Sequence, residues 1–163
     1  MNKRGQIADY ATYIVMLVVI AVVFLITWYV IGTLNTSWAA DTNIPANIVA
    51  QNNAVFGNFG SVLDNSFLLM FIGILIGGLI LSYVLQSNPG MFFVLLLIVF
   101  LLSLVAGYLG NAYTSIAATQ LSGAGASMTI MAFIMDHYLL MTFVNITLMT
   151  IVFFAKPNSG GTL

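Results

Sequence analysis

The one cluster of ionisable side chains within an apolar run of this sequence is Asp136-His137-Tyr138. Ionisable groups are costly to place in a membrane, so they commonly mark a proton or ion site. Adjacent helical residues point about 100° apart, so Asp136 and His137 cannot pair with each other. If Tyr138–Ala155 alone crosses the bilayer, as a helix about 27 Å long, the cluster lies at the outer interface. Two interpretations therefore stay open, an interfacial anchor and a proton or ion site.

Two methionines one helical turn apart, Met131 and Met135, precede this cluster. With the nearby His137 they resemble the methionine pair of copper-transporting channels, which implies a metal or small-solute carrier. The N-terminal methionines and the C-terminal cysteine or histidine of that family are missing here. Methionine is also a common gap-filler in helix packing. We expect no bound metal and no cofactor.

A polar stripe follows, with Tyr138, Thr142 and Asn145 at positions i, i+4 and i+7. An amide deep in the bilayer needs a hydrogen-bond partner on another helix. Each such bond contributes about 1 kcal/mol to helix association. We therefore expect Asn145 to join helices of one subunit or of neighbouring subunits, in preference to lining a pore.

Small residues recur at helical spacing in the two central apolar runs. They are candidates for helix packing or subunit assembly: Gly73, Gly77, Gly78 and Ser82 in one run, and Ser103, Gly107 and Gly110 in the other. Helices in lipid gain nothing from burying apolar surface, so close contact depends on small residues that let backbones approach. The first interpretation is packing of the two runs against each other within one subunit. The second is a contact between subunits.

Catalytic chemistry finds no support in the sequence. There is one histidine and no cysteine. The sequence also lacks an HExxH zinc motif, a P-loop and any pairing of a nucleophile with a base. We expect no enzymatic activity.

Composition determines what kind of element must position these residues. Hydrophobic residues make up 61% of the 163 residues and charged residues only 4%, whereas soluble domains average about 25% charged residues. This predicts a single integral membrane domain surrounded by the lipid bilayer. A net charge of −1 excludes the basic footprint of a nucleic-acid-binding protein.

Four apolar runs are long enough to cross a bilayer, since about 20 helical residues span about 30 Å. They cover about residues 8–34, 66–86, 91–113 and 128–155. Pro89-Gly90 predicts a tight turn, so we expect the second and third runs to lie side by side and antiparallel. In the outer loop, 35–65, apolar residues after Pro45 recur at helical spacing, which predicts a short amphipathic helix at the interface. A flexible linker covers 114–127.

The N-terminus carries a short motif, Lys3-Arg4-Gly5-Gln6, followed by Asp9 and a hydrophobic helix. Over residues 1–25 it resembles an archaeal prepilin-type (class III) leader. That resemblance implies cleavage after the glycine and a helix that drives filament assembly. The alternative is a basic flank that orients the first span. Lys3, Arg4 and Lys156 all lie near the termini, so the positive-inside rule predicts that both termini are cytoplasmic.

These observations predict an all-α, four-span integral membrane protein that acts as a structural or assembly subunit and forms homo-oligomers. Two settings fit such a subunit, a lipid-containing virion membrane and a larger complex in a cell membrane. The main alternative is a small oligomeric channel or holin-like pore. The second alternative is the metal or small-solute carrier.

Overall fold

The computed structural model describes residues 3–84, 91–119, 121 and 128–155, and these form six helices and no strand. The helices are α1 (Lys3–Ala40), α2 (Ala46–Gly57), α3 (Phe59–Val84), α4 (Met91–Thr119), α5 (Thr129–Asp136) and α6 (Tyr138–Ala155). Among the described residues, four segments are long and apolar enough to cross a membrane: Thr12–Ala40 of α1, Ala46–Tyr83 of α2 and α3, Leu97–Thr119 of α4, and Tyr138–Ala155, which is α6. The prediction of an all-α chain with four such helices is thus confirmed. The predicted turn at Ser87–Gly90, the glycine-rich part of the linker and the tail after Ala155 lie outside the described residues.

The four long helices form a ring in which each packs against two neighbours, in the order α1, α3, α6, α4. The prediction that the second and third apolar runs pack side by side is wrong. Within the described residues α3 and α4 are in marginal contact at most, because α6 packs against both of them. A short turn keeps the ends of two helices close together, but it does not determine which helices pack side by side along their length.

The largest fully buried side chains lie towards one end of the bundle, which we call the outer end because α2 and α5 lie there. They are Leu25, Phe67, Tyr113, Met128, Met131, Met135 and Tyr138. Each of α1, α3, α4, α5 and α6 contributes at least one of them. Packing is therefore closest where the short helix α5 is wedged against α3 and α4.

The fourth apolar run is two helices and not one. At His137 the backbone leaves helical geometry, with φ −105° and ψ 16°, and its N–H donates to the carbonyls of Phe133 and Met135. The next helix starts at once, since the N–H of Met141 donates to the carbonyl of His137. The break separates α5, which has 8 residues, from α6, which has 18. The cluster Asp136-His137-Tyr138 is the junction between them.

Helix α1 continues well beyond the start of α3. The indole ring of Trp28 lies 3.2 Å from where a Cβ on Gly60 would be, and α1 runs 12 residues further to Ala40, about 18 Å. Helix α2 runs back along this extension, with Asn35 Nδ2 donating to Asn53 Oδ1 at 2.7 Å. We call residues 29–57 the projection, and none of them is buried.

A short helix, α2, is therefore present after the first span, and it packs along α1. The predicted amphipathic character of this helix stays a prediction. The helix begins at Ala46, after Pro45, which occupies the N-cap position and provides no side-chain capping bond. Its predicted placement at a membrane interface stays a prediction, as does the cytoplasmic location of the termini.

Candidate functional site

The N-terminus of α5 is capped by a carboxyl group from another helix. The first N–H groups of a helix have no partner within it, and the residue before α5, Met128, has no side-chain oxygen to offer. Asp64 on α3 takes this role. Its Oδ1 accepts from the N–H of Met131 at 2.6 Å and its Oδ2 accepts from the N–H of Ile130 at 3.0 Å. We call these two hydrogen bonds the Asp64 cap.

The Asp64 cap is a buried polar connection within an apolar core. Asp64 is only 5% exposed, and a negative group next to a helix N-terminus is favoured by the helix dipole. The cap joins α3 to a helix 66 residues later in the chain, and it holds α5 against the bundle. Sequence reasoning missed this role, although an acidic residue beside an apolar run was a visible signal.

Two tyrosines of α4 and α6 are buried in the bundle. Tyr138 is the first residue of α6, and its hydroxyl donates to the carbonyl of Ile14 on α1 at 2.6 Å. Tyr113 on α4 is only 1% exposed. Its hydroxyl is buried and has no hydrogen-bond partner among the described residues. The outer end thus concentrates the polar groups that join separate elements.

The predicted proton or ion site at Asp136 and His137 gains little from the geometry. Both side chains are exposed, and the His137 ring bonds to its own helix, with Nδ1 2.9 Å from the carbonyl oxygen of Phe133. The same ring lies against the Phe133 ring, with centroids 4.5 Å apart. An exposed histidine held against a neighbouring aromatic ring is consistent with the interfacial-anchor interpretation.

The methionine pair is part of the core. Met131 and Met135 are both buried, whereas His137 is exposed, so the three side chains do not converge on one point. Among the described residues, no three histidine, cysteine or acidic side chains are grouped as metal ligands. The geometry therefore supports the packing interpretation of these methionines.

The small residues of α4 are packed tightly, and their partner is the α5–α6 junction. A Cβ added to Gly107 would lie 2.6 Å from Leu139 Cδ1, and one added to Gly110 would lie 3.0 Å from the backbone oxygen of Met135. Ser103, on the same helix, is buried and donates to the carbonyl of Val99 at 2.8 Å. These residues allow close approach, as predicted, but to the fourth apolar run and not to the second.

The small residues of α3 divide between two faces. Gly78 and Ser82 are buried, and the Ser82 hydroxyl donates to the carbonyl of Gly78 at 2.9 Å. Gly73 and Gly77 are exposed, and a Cβ added to either would meet nothing within 4 Å. The prediction that Gly73 and Gly77 pack against the third run of the same subunit is wrong. A contact of this face with another subunit stays a prediction.

The polar stripe of α6 faces the interior of the bundle. Tyr138, Thr142 and Asn145 are all buried. Asn145 therefore lies within one chain, and the interpretation in which it faces a neighbouring subunit does not fit its burial. Thr147 and Thr150, elsewhere on α6, are partly exposed. They line a groove of about 530 Å³ between α4 and α6.

That groove offers little to a polar molecule. It is lined mainly by aliphatic and aromatic side chains, and each hydroxyl in its wall already donates within its own helix. Thr147 donates to Phe143 at 2.7 Å, and Thr150 donates to Ile146 at 2.8 Å. Its volume is within the roughly 300–1,000 Å³ range of ligand pockets, but its chemistry suits an acyl chain or an apolar helix.

Comparison with known proteins gives no further guide to these features: no protein-family model, no curated protein and no solved structure matches this chain.

Proposed function

We propose that this protein is a non-enzymatic integral membrane subunit that assembles with copies of itself in a structural role. The observation that carries this proposal is the outward-facing pair Gly73 and Gly77 on the candidate span α3. Glycines one turn apart on an exposed face form a shallow strip to which another helix backbone can approach closely. The glycines of α4 are already packed within the chain, whereas the glycine strip of α3 is open. The open strip favours a contact with a neighbouring subunit.

The interior of the bundle supports a packing role over a conducting one. Three of its buried hydroxyls, those of Ser82, Ser103 and Tyr138, donate to helix carbonyls. Large apolar side chains fill the outer end around α5. A conducting path therefore has to form between several copies, which is the channel or holin-like alternative. Both a virion membrane and a cellular membrane complex fit the proposed role.

Copy number in a bilayer tests the proposal. Purified full-length chain is reconstituted in liposomes at low density, and copies per particle are counted by photobleaching of a single dye. We expect more than one copy per particle in wild type and a lower number in Gly77→Leu, because the leucine side chain fills the strip. Ile76→Leu is the matched control on the exposed surface of the same helix. Single-copy particles at every density would contradict the proposal.

Conductance separates the structural role from the pore. We expect no current above background when the wild-type protein is added to a planar bilayer. A steady conductance that Gly77→Leu abolishes would favour the holin-like pore instead.

A further inference from the structure

The groove between α4 and α6 combines small side chains at its base with large side chains at its rim. Ser103 is buried and Thr147 is partly exposed, and these short side chains leave space between the two helices. Phe100 and Phe143, which line the same groove, are 59% and 49% exposed. The groove is therefore an elongated depression with aromatic edges, open to the surroundings of the bundle.

The lining of this groove selects against a polar occupant. The hydroxyls of Ser103, Thr147 and Thr150 all donate to carbonyl groups of their own helices. The other lining residues have only hydrocarbon side chains. An apolar cavity of this kind stays dry and takes up apolar molecules. The occupant of the groove is therefore a hydrocarbon.

The dimensions of the groove match a single hydrocarbon chain. Its lining on α6 extends from Leu139 to Ile151, which is 12 residues or about 18 Å. One leaflet, half of the hydrocarbon core, is about 15 Å deep. An apolar cavity of about 150 Å³ in another protein accommodates the six carbons of benzene. By the same ratio, the groove of about 530 Å³ accommodates roughly 20 carbons.

A helix from a second copy is too wide for this groove. Dividing the volume of about 530 Å³ by the length of about 18 Å gives a mean cross-section of about 29 Å², or about 6 Å across. A helix with its side chains is about 10–12 Å across. It would rest on the rim and leave the base unfilled, and the lining would lose dispersion contacts there.

Membrane lipid is the source of hydrocarbon that reaches this position. Every lining residue belongs to one of two candidate spans, Leu97–Thr119 and Tyr138–Ala155. Lipid tails are as apolar as leucine, so a smooth helix face gives them no reason to stay. In the groove a chain contacts two helices at once, and the dispersion energy of those contacts adds up. We propose that the groove is a binding site for one hydrocarbon chain of a bilayer lipid, which stays bound when neighbouring lipids exchange.

This binding site rests on the membrane placement in the proposed function and is independent of copy number. Retention of a brominated lipid tests it. The chain has two tryptophans, so Trp28→Phe with Trp38→Phe gives a tryptophan-free background. Phe143→Trp then reports on the rim of the groove. Leu101→Trp is the control, because Leu101 is exposed on α4 and does not line the groove.

The two reporters are compared before and after removal of free lipid. In vesicles of phospholipid with brominated acyl chains, we expect both tryptophans to be quenched. After dilution into excess detergent without brominated lipid, the control should recover its full fluorescence and the groove reporter should stay quenched. Equal recovery of both overturns the proposal. Weak quenching of the groove reporter already in vesicles would show that another copy covers the groove, and it also overturns the proposal.

Filling the groove provides the second arm. With the groove reporter in place, Thr147→Leu adds apolar volume to the base and should abolish the retained quenching. Thr27→Leu is the matched control on α1, because the Thr27 hydroxyl also donates to a carbonyl four residues earlier, that of Val23 at 2.8 Å. Retained quenching in both variants refutes the groove as the site, and Thr150→Leu repeats the test at a second position. Multimeric particles without retained quenching refute only this inference, whereas single-copy wild-type particles contradict the proposed function.

Discussion

The bundle and the projection contain the same type of hydrogen bond, but its structural role differs between the two regions. In each region an aspartate accepts backbone N–H groups, Asp64 at 2.6 and 3.0 Å and Asp41 at 2.9 Å. Asp64 is buried and joins two helices far apart in the chain, whereas Asp41 is exposed and bonds a residue two positions away. An exposed bond exchanges with water at little cost, and a buried one does not. The same chemistry therefore specifies tertiary structure in the bundle and only a local turn in the projection.

The largest expected difference follows from removing these carboxyl groups. Asp64→Leu leaves the buried N–H groups of Ile130 and Met131 without acceptors, at about 1–3 kcal/mol each. We expect a loss of about 3 kcal/mol in the free energy of unfolding, measured by SDS titration in detergent micelles. Asp41→Leu is the matched change in the projection and should cost much less. Equal losses would mean that burial does not separate the two regions.

A second pair compares glycines. Gly110→Leu forces a side chain against the Met135 backbone oxygen, which cannot move aside cheaply, so we expect a loss of about 2 kcal/mol from overpacking. Gly32→Leu in the projection meets open space and should leave monomer stability unchanged or raised, since leucine is the better helix former. The same titration measures both. If Gly32→Leu proved destabilising, the space around Gly32 would be smaller than the absence of atoms within 4 Å of an added Cβ indicates.

Tyrosine hydroxyls give a smaller contrast. Tyr138→Phe removes the 2.6 Å bond to the Ile14 carbonyl and should lower the free energy of unfolding by about 1 kcal/mol. Tyr29→Phe, on the exposed side of the projection, should have no measurable effect. Should Tyr138→Phe prove neutral, the contact between α6 and α1 would rest on packing alone.

Asparagines give the smallest expected effect. Asn145→Leu loses a buried amide in the bundle, and membrane-buried hydrogen bonds average about 0.6 kcal/mol. Its loss should lower stability without changing copy number, because Asn145 is buried within one chain. Asn53→Leu removes the 2.7 Å amide bond to Asn35 and should loosen α2 from α1, seen as faster amide hydrogen exchange in α2. A fall in copy number for Asn145→Leu would place that amide between subunits after all.

The structure corrects the sequence-based predictions mainly in which helices pack against each other. Gly107 and Gly110 are packing residues, as their type and spacing indicate, but they meet α5 and α6 instead of α3. Gly73 and Gly77 have the same spacing and face outwards. The spacing of small residues shows that one face of a helix allows close packing. It does not show which other helix packs against that face. The position of Asp64 beside an apolar run was visible in the sequence, but the helix that it caps could not be predicted, because no local rule relates an acidic residue to a helix start 66 residues away.

By itself, the sequence determined the all-α fold class and the number of long apolar helices. Runs of about 20 apolar residues and a charge content of 4% predict helices that are able to cross a membrane, since a helix satisfies its backbone groups within its own segment. Tertiary structure alone decided the ring order of the helices, the break at His137, the Asp64 cap and the length of the projection. These features depend on contacts between residues that are distant in the chain. The free energies of those contacts cannot be inferred from any short stretch of sequence.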